Sequence, residues 1–279
     1  MLDNAPFKSI EYKGLVIEGY SRAAVQTYWR IDQLRLGFDL GAQPWDFMGT
    51  PNWFISHTHL DHIAAIPAYV ARRRMMKMEP PVIYLPESAV DTVHRLLRNF
   101  SRLDRGKLPC ELVGVVPGDE IDYSRELSVT VGKTTHTVTS VCYLVYDRRY
   151  KLRPEFAQLT GDQIRDLRLA GQEVTYEVRV PLVAYMGDTT AVGLDENPDV
   201  YQAKVLISEM TFIAEDHRAE LIRKSGHMHL DDYVQRKDLF KNDLILVGHI
   251  STRYSKKQAE RYVNKRLPGL LDDRLKIWI

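Results

Sequence analysis

Ser56-His57-Thr58-His59-Leu60-Asp61-His62, directly after the apolar stretch Trp53-Phe54-Ile55, places three imidazoles and one carboxylate within six residues. Trp53 to Ser56 reads as a brief buried strand, and Ile63 to Met78 carries Ala, Ile, Tyr, Val and Met at mostly helical spacing. The histidines therefore fall in the loop between a strand and a helix. Neutral imidazole nitrogens and a carboxylate oxygen are donors that suit Zn²⁺, which takes them at about 2.0–2.2 Å. A tight loop can aim alternate residues at two neighbouring points, so His57 and His59 can serve one metal while Asp61 and His62 serve another. Incidental histidines in a polar loop would not crowd in this way.

Around this segment the composition is that of an ordinary globular chain: 279 residues, 44% hydrophobic and 27% charged. No Pro-, Gly- or Ser-rich linker divides it, which favours one compact domain over residues 1–279. Thirty-eight Lys and Arg against thirty-seven Asp and Glu leave a net charge of +1, so any nucleic-acid contact has to come from local patches. The two cysteines, Cys110 and Cys142, are far apart and form no Cys-x-x-Cys pair, which argues against a disulfide framework or a thiolate metal site. Met1 to Gly14 lacks an apolar signal core and an Arg-rich transit pattern. No apolar run reaches the roughly eighteen residues of a membrane span. A cytoplasmic protein in a reducing compartment is expected.

Upstream of the histidine loop, Leu15 to Tyr20, Val25 to Ile31 and Leu34 to Leu40 read as a β-meander. Downstream, Val82 to Leu85 reads as a strand and Pro86 opens a helix through Leu103. Strands follow at Leu127 to Thr134, Ser140 to Tyr146, Glu177 to Met186, Lys204 to Ser208 and Leu244 to Val247. Helices are expected near Leu230 to Phe240 and Ser255 to Leu267, with a closing strand at Leu275 to Ile279. Two groups of strands with helices interspersed suggest two sheets packed face to face with helices outside, a four-layer αββα sandwich of the α/β (α+β) class.

The loop His57-x-His59-x-Asp61-His62 resembles the signature of the metallo-β-lactamase superfamily. The resemblance extends to later strand ends. His136, in Thr134-Thr135-His136, is similar to the histidine that completes the first metal's set. Tyr185-Met186-Gly187-Asp188-Thr189 resembles the turn whose carboxylate bridges both metals, which implies that role for Asp188. Gly248-His249-Ile250-Ser251 places His249 as the last ligand of the second metal. The resemblance thus implies two Zn²⁺ per subunit, with Mn²⁺ as an alternative, and Asp61 as the residue that orients and deprotonates the attacking water.

Three further segments resemble ribonuclease Z, particularly its short plant form. They are Ser208-Glu209-Met210-Thr211-Phe212, Gly226-His227-Met228-His229 and His249-Ile250-Ser251-Thr252-Arg253-Tyr254. This likeness implies a pairing of Glu209 with His227. Glu209 would orient the imidazole and raise its pKa, so that His227 can protonate the departing 3′ oxygen. The bland readings are a surface carboxylate for Glu209 and a helix cap or loop residue for His227; no role is assigned to His229. Between two core strands, residues 147–174 resemble the arm by which the family grips tRNA, with Arg148, Arg149, Lys151 and Arg153 as a phosphate track. Arg72-Arg73-Arg74 reads as a solvated helix face instead. Three departures stand out: Cys142 and Thr252 replace the family's usual Gly and Ala, and the Gly-rich amino-terminal segment of many bacterial members is missing.

The function implied is an endoribonuclease that removes the 3′ trailer of precursor tRNA, leaving a 3′ hydroxyl on the tRNA and a 5′ phosphate on the trailer. The family likeness also implies a homodimer, with neither a membrane nor DNA as partner. Two alternatives remain open, a small-molecule phosphodiesterase or thioesterase on the same metals and a silent RNA-binding subunit.

Overall fold

The computed structural model describes residues 5–215, 222 and 224–279. Among these, the strands form two seven-stranded mixed sheets. The first holds β1 (Lys8–Tyr12), β2 (Leu15–Arg22), β3 (Gln26–Ile31), β4 (Leu36–Leu40), β5 (Asn52–Phe54), β6 (Val82–Pro86) and β7 (Glu111–Val115) in chain order. The second runs β14 (Leu275–Ile277), β13 (Leu244–Gly248), β12 (Val205–Glu209), β11 (Thr175–Tyr185), β10 (Val141–Leu152), β9 (Leu127–Lys133) and β8 (Glu120–Ile121).

Side-chain alternation explains the layering. In β10, Val141, Tyr143 and Val145 face the other sheet, while Cys142, Leu144 and Tyr146 face the helices outside. In β12 and β13, Val205, Ile207, Leu244 and Leu246 point inward, and Leu206, Ile245 and Val247 point outward. Strands buried on both faces read as continuous apolar runs, which is why these segments stand out in the sequence. The inner faces of the two sheets form one apolar slab with Trp29, Phe38 and Phe54. Tyr69, Val70, Val93 and Leu97 cover the first sheet from helices Ile66–Met75 and Val90–Asp104, and Leu230, Tyr233, Ala259 and Val263 cover the second. Three apolar slabs between four layers are the αββα sandwich expected.

Several expectations shift in detail. The helix read from Ile63 to Met78 is two pieces, Leu60–Ile63 and Ile66–Met75. The edge strands β1 and β8, with few apolar residues, are not legible in the sequence, and β7 is not read either although Leu112, Val113 and Val115 are apolar. Arg73 does not lie on a solvated face. Its guanidinium is buried and donates to the carbonyls of Met48, Thr50 and Glu79, so it ties the helix to the loop before β5. Beyond Arg148, β10 and β11 continue as a two-stranded ribbon, and no residue from Asp147 to Glu173 is buried. The segment read as an inserted arm is thus a hairpin carrying the short helix Gly161–Leu169, which Thr160 and Gln163 close with a capping box.

Candidate metal centre

The parallel strand pairs β4–β5, β11–β12 and β12–β13 end on one edge of the sandwich, and β9 runs the same way as β11 because both pair antiparallel with β10. The loops that leave β5, β9, β11, β12 and β13 therefore meet. They bring together all seven residues named from the sequence as ligands.

Two sets of donor atoms form. In the first, His59 Nδ1 stands 3.2 Å from both His57 Nε2 and His136 Nε2, and Asp188 Oδ2 lies 3.7 Å from His57 Nε2 and 4.0 Å from His136 Nε2. In the second, His62 Nε2 and His249 Nε2 are 3.4 Å apart, and Asp61 Oδ2 lies 3.8 Å and 3.4 Å from them. The same Asp188 oxygen is 3.4 Å from His62 Nε2 and 3.2 Å from His249 Nε2, so it faces both sets at once. Four ligand atoms at about 2.0–2.2 Å from one Zn²⁺ in a tetrahedral array stand about 3.3–3.6 Å from each other. The observed separations bracket that spacing.

The far nitrogens of the rings strengthen the fit. His57 Nδ1 faces Ser56 Oγ at 3.0 Å, His62 Nδ1 faces Asp39 Oδ2 at 2.6 Å, His136 Nδ1 donates to the Gly226 carbonyl at 2.8 Å, and His249 Nδ1 faces Thr211 Oγ1 at 3.0 Å. When the outer nitrogen carries the proton, the inner Nε2 presents its lone pair to the cluster. Facing lone pairs and carboxylate oxygens repel one another unless a cation lies between them, so the arrangement suits bound metal. Burial supports the neutral state: it holds His57 well below the usual histidine pKa and lowers His136 and His59 as well. Burial opposes the charge on His62 too, but the Asp188 and Asp39 carboxylates outweigh it and raise that histidine well above the usual value. A cation at Nε2 would take the proton's place.

Asp39 gives no sign of a role in the sequence beyond being an acid near a loop. It is fully buried and accepts from the Ser56 amide (2.7 Å), the Ser56 hydroxyl (2.8 Å), His62 and the Tyr185 hydroxyl. Its φ of 53° comes from a bulge in β4, where Leu40 pairs with Tyr28 and Phe38 with Trp29, leaving Asp39 between them. His249 is held at φ 54° just past β13. Such left-handed geometry in residues other than glycine is strained and is found where a site over-determines it. Gly187 meets a different need: with φ 57°, a Cβ there would lie 2.4 Å from the Ser56 Cβ, so the turn presenting Asp188 admits only glycine.

Glu209 and His227 come together beside the cluster. His227 Nδ1 donates to Glu209 Oε1 at 2.9 Å and lies 3.9 Å from Asp188 Oδ2. Glu209 is buried, not a surface carboxylate. It also accepts from the Thr189 amide (2.9 Å), the Thr211 amide (3.3 Å) and the Thr211 hydroxyl. Burial alone would lower the His227 pKa, but the Glu209 charge and hydrogen bond outweigh it and raise it to about 9. The capping role considered for His227 belongs to His229. Its Nδ1 accepts from the Asp231 amide at 3.0 Å at the start of helix Leu230–Arg236, and its Nε2 donates to the Ala214 carbonyl. Thr211 joins the two parts of the site, since its hydroxyl touches Glu209, His249 Nδ1 and the His249 carbonyl.

His57, His62, Asp188, His249 and the side chain of His136 form the buried floor, and His59, Asp61 and His227 rim the partly open side. The residues named for an RNA track lie on the ribbon, away from this edge. Arg148 pairs with Asp122, Arg149 with Asp147 and Arg153 with Glu173 at 2.7 Å.

No family model matches the chain. Among solved structures it superposes on the metallo-β-lactamase fold protein YhfI from Bacillus subtilis with a TM-score of 0.60, 15% identity and 92% of each chain covered. It also superposes on human tRNase Z, short form, with a TM-score of 0.53, 15% identity, and 86% of this chain and 87% of that one covered. Those likenesses show the fold alone. In sequence, tRNase Z TRZ1 of Arabidopsis thaliana is 38% identical over 270 residues, 96% of either chain. Identity at that level over nearly the whole length, on a fold whose loops gather the His and Asp cluster described above, means that this chain belongs to the tRNase Z (ribonuclease Z) family.

Proposed function

We propose that this chain is the endoribonuclease that removes the 3′ trailer from precursor tRNA by hydrolysing one phosphodiester bond, leaving a 3′ hydroxyl on the tRNA and a 5′ phosphate on the trailer. The observation that carries the reading is a single carboxylate oxygen, Asp188 Oδ2, facing both donor sets at 3.2–4.0 Å, with the His227–Glu209 pair beside it. His57, His59, His136 and Asp188 would hold one cation, and Asp61, His62, His249 and Asp188 the other, as two Zn²⁺ or Mn²⁺ per subunit. Bound there, they would supply positive charge to the scissile phosphate and acidify water.

The chain's own residues do the rest. Asp61 is partly exposed at the rim, and its Oδ2 is fixed by the Ala24 amide at 3.0 Å. Burial opposes the Asp61 charge, but the hydrogen bond from His249 and the nearby His62 outweigh it and hold the pKa at about 2. The carboxylate is thus ionised at any working pH and can orient the attacking water and receive its proton. An alkoxide leaves poorly unless protonated. His227 gives Nδ1 to Glu209, which leaves Nε2 to serve the departing oxygen, and its raised pKa keeps the ring protonated at neutral pH. The protons balance: the water gives one to Asp61, and His227 gives one to the departing 3′ oxygen.

The same reading takes residues 147–174 as an arm inserted in a single domain, which positions tRNA through Lys151 and the neighbouring arginines, and places the protein as a homodimer in the cytoplasm. Free Cys110 and Cys142 suit a reducing compartment. No helix among the described residues is long and apolar enough to cross a membrane.

The deciding experiment incubates the protein and Asp61→Ala with end-labelled precursor tRNA and metal, and maps the cut. Cleavage after the acceptor stem by the parent, reduced at least about 100-fold in the variant, is the expected result. Intact precursor with either metal, in a preparation that still hydrolyses a small chromogenic phosphodiester, would sink the substrate assignment while sparing the chemistry.

A further inference from the structure

On the ribbon, Arg148, Arg149 and Arg153 are each paired with an acid, as are Arg165 with Asp162 and Arg179 with Glu120. Another stretch of surface keeps its charge. The loop that leaves His249 carries exposed Arg253, and the helix Lys256–Arg266 presents Lys257 and Arg261 four residues apart on one exposed face. Among the described residues, none of these three has an acidic group within ion-pair distance, whereas Lys265, further along the helix, pairs with Glu215 at 3.4 Å. Two more cations lie alongside. Lys256 is 3.9 Å from Glu260, and burial followed by the neighbouring Lys256 charge holds Lys8 of β1 below the ordinary lysine value. Glu260 is thus the acid amid five cations.

Position matters as much as charge. Arg253 follows His249 by four residues, so even a fully extended chain would put it within about 14 Å of a cluster residue. Along the helix, each step of four residues advances about 6 Å. Exposed cations without an acidic partner, beginning within reach of a hydrolytic centre and continuing along the helix at Lys257 and Arg261, match a polyphosphate backbone leading into that centre. Unpaired cations also do more than paired ones, because each phosphate they neutralise releases counterions without first breaking a salt bridge.

We infer that Arg253, Lys257 and Arg261, with Lys8 and Lys256 beside them, form a surface that takes the sugar-phosphate backbone of the RNA substrate next to the cleavage site. The inference rests on the RNA reading given above. The surface positions the strand without reading bases.

The test replaces Arg253, Lys257 and Arg261 together by glutamine, which keeps the helix, and titrates mature tRNA onto each protein by fluorescence anisotropy at several salt concentrations. The expected loss of affinity at low salt is at least about tenfold, with the log–log salt slope shallower by roughly two, since each contact contributes about 0.7–0.9. Glu260→Gln should tighten binding. Lys13→Gln, at the opposite edge where Lys13 pairs with Asp243 at 3.0 Å, should change neither quantity. Turnover of a small chromogenic phosphodiester should be the same in all of them. Unchanged affinity and slope in the triple variant would overturn the inference. A parent protein that binds no tRNA would remove it together with the RNA reading. Binding that depends on these three cations, without any cleavage of precursor, would uphold the surface and overturn the assigned substrate.

Discussion

At the scale of single residues, the site divides by burial. The seven clustered positions are legible because histidine and aspartate rarely fall by chance at one strand end after another in this order. Asp39 is not, since one carboxylate inside Leu36-Gly37-Phe38-Asp39-Leu40 carries no spacing signal, and its bulge depends on pairing with β3. Thr211 escapes notice for a related reason: its hydroxyl matters only because the β12 and β13 loops lie side by side. The His227–Glu209 pair gives a pH prediction. The acid must be protonated, and its pKa is raised to about 9, so activity is present below that value and lost as pH rises through it. Metal charge nearby moves the same pKa the other way, which places the alkaline limb at or below about 9. Glu209→Gln removes the anion that outweighs burial. The limb should move to lower pH and kcat should fall about 100-fold or more, with KM changed less. A pH–rate profile of both proteins decides; an unmoved limb would mean that another group donates the proton.

At the scale of elements, the central strands read well because both of their faces are buried, and the helix after the histidines reads well in kind but not in its break. What fails are three of the four sheet edges, the closing strand β14 being the one that is read. β1 has the sequence Lys-Ser-Ile-Glu-Tyr and β8 is Glu-Ile, too polar and too short for periodicity to register. The two strands of the ribbon beyond Arg148 escape for a related reason: residues 147–174 are read as an arm by resemblance, without strands, since neither face of the ribbon packs on a core. Independence from the core makes it removable. Replacing residues 149–176 by a two-residue turn should leave the fold intact and the hydrolysis of a small phosphodiester within about twofold. The kcat/KM for precursor tRNA should fall by about tenfold or more, because positioning contacts supply much of nucleic-acid affinity. Equal losses on both substrates would show that the ribbon supports the centre and not the substrate.

At the scale of the whole molecule, the two sheets share an apolar slab and are joined by hydrogen bonds across it, among them Tyr185 to Asp39 and Trp278 Nε1 to the Gly19 carbonyl. Val141 donates to the Ser56 carbonyl at 3.0 Å and the Tyr143 hydroxyl to the Ile55 carbonyl at 2.8 Å, both at the edge that carries the site. His57, His59, Asp61 and His62 come from the first sheet's loops, and His136, Asp188 and His249 from the second's. Bound cations would therefore tie the halves at that edge and stabilise only the folded chain. A ligand at about a hundred times its dissociation constant adds about 2.7 kcal/mol, so chelation should lower the melting temperature by several degrees, and metal should restore it. Scanning calorimetry with and without chelator would detect this; an unchanged transition would mean that the cluster holds no metal.

Because Asp188 Oδ2 faces both donor sets, the two cation positions are not independent. Filling one draws on negative charge that the other also needs, yet it settles the orientation of a carboxylate that both must use. Titration of stripped protein should accordingly give two unequal affinities in place of a single repeated one, and Asp188→Asn should weaken both together.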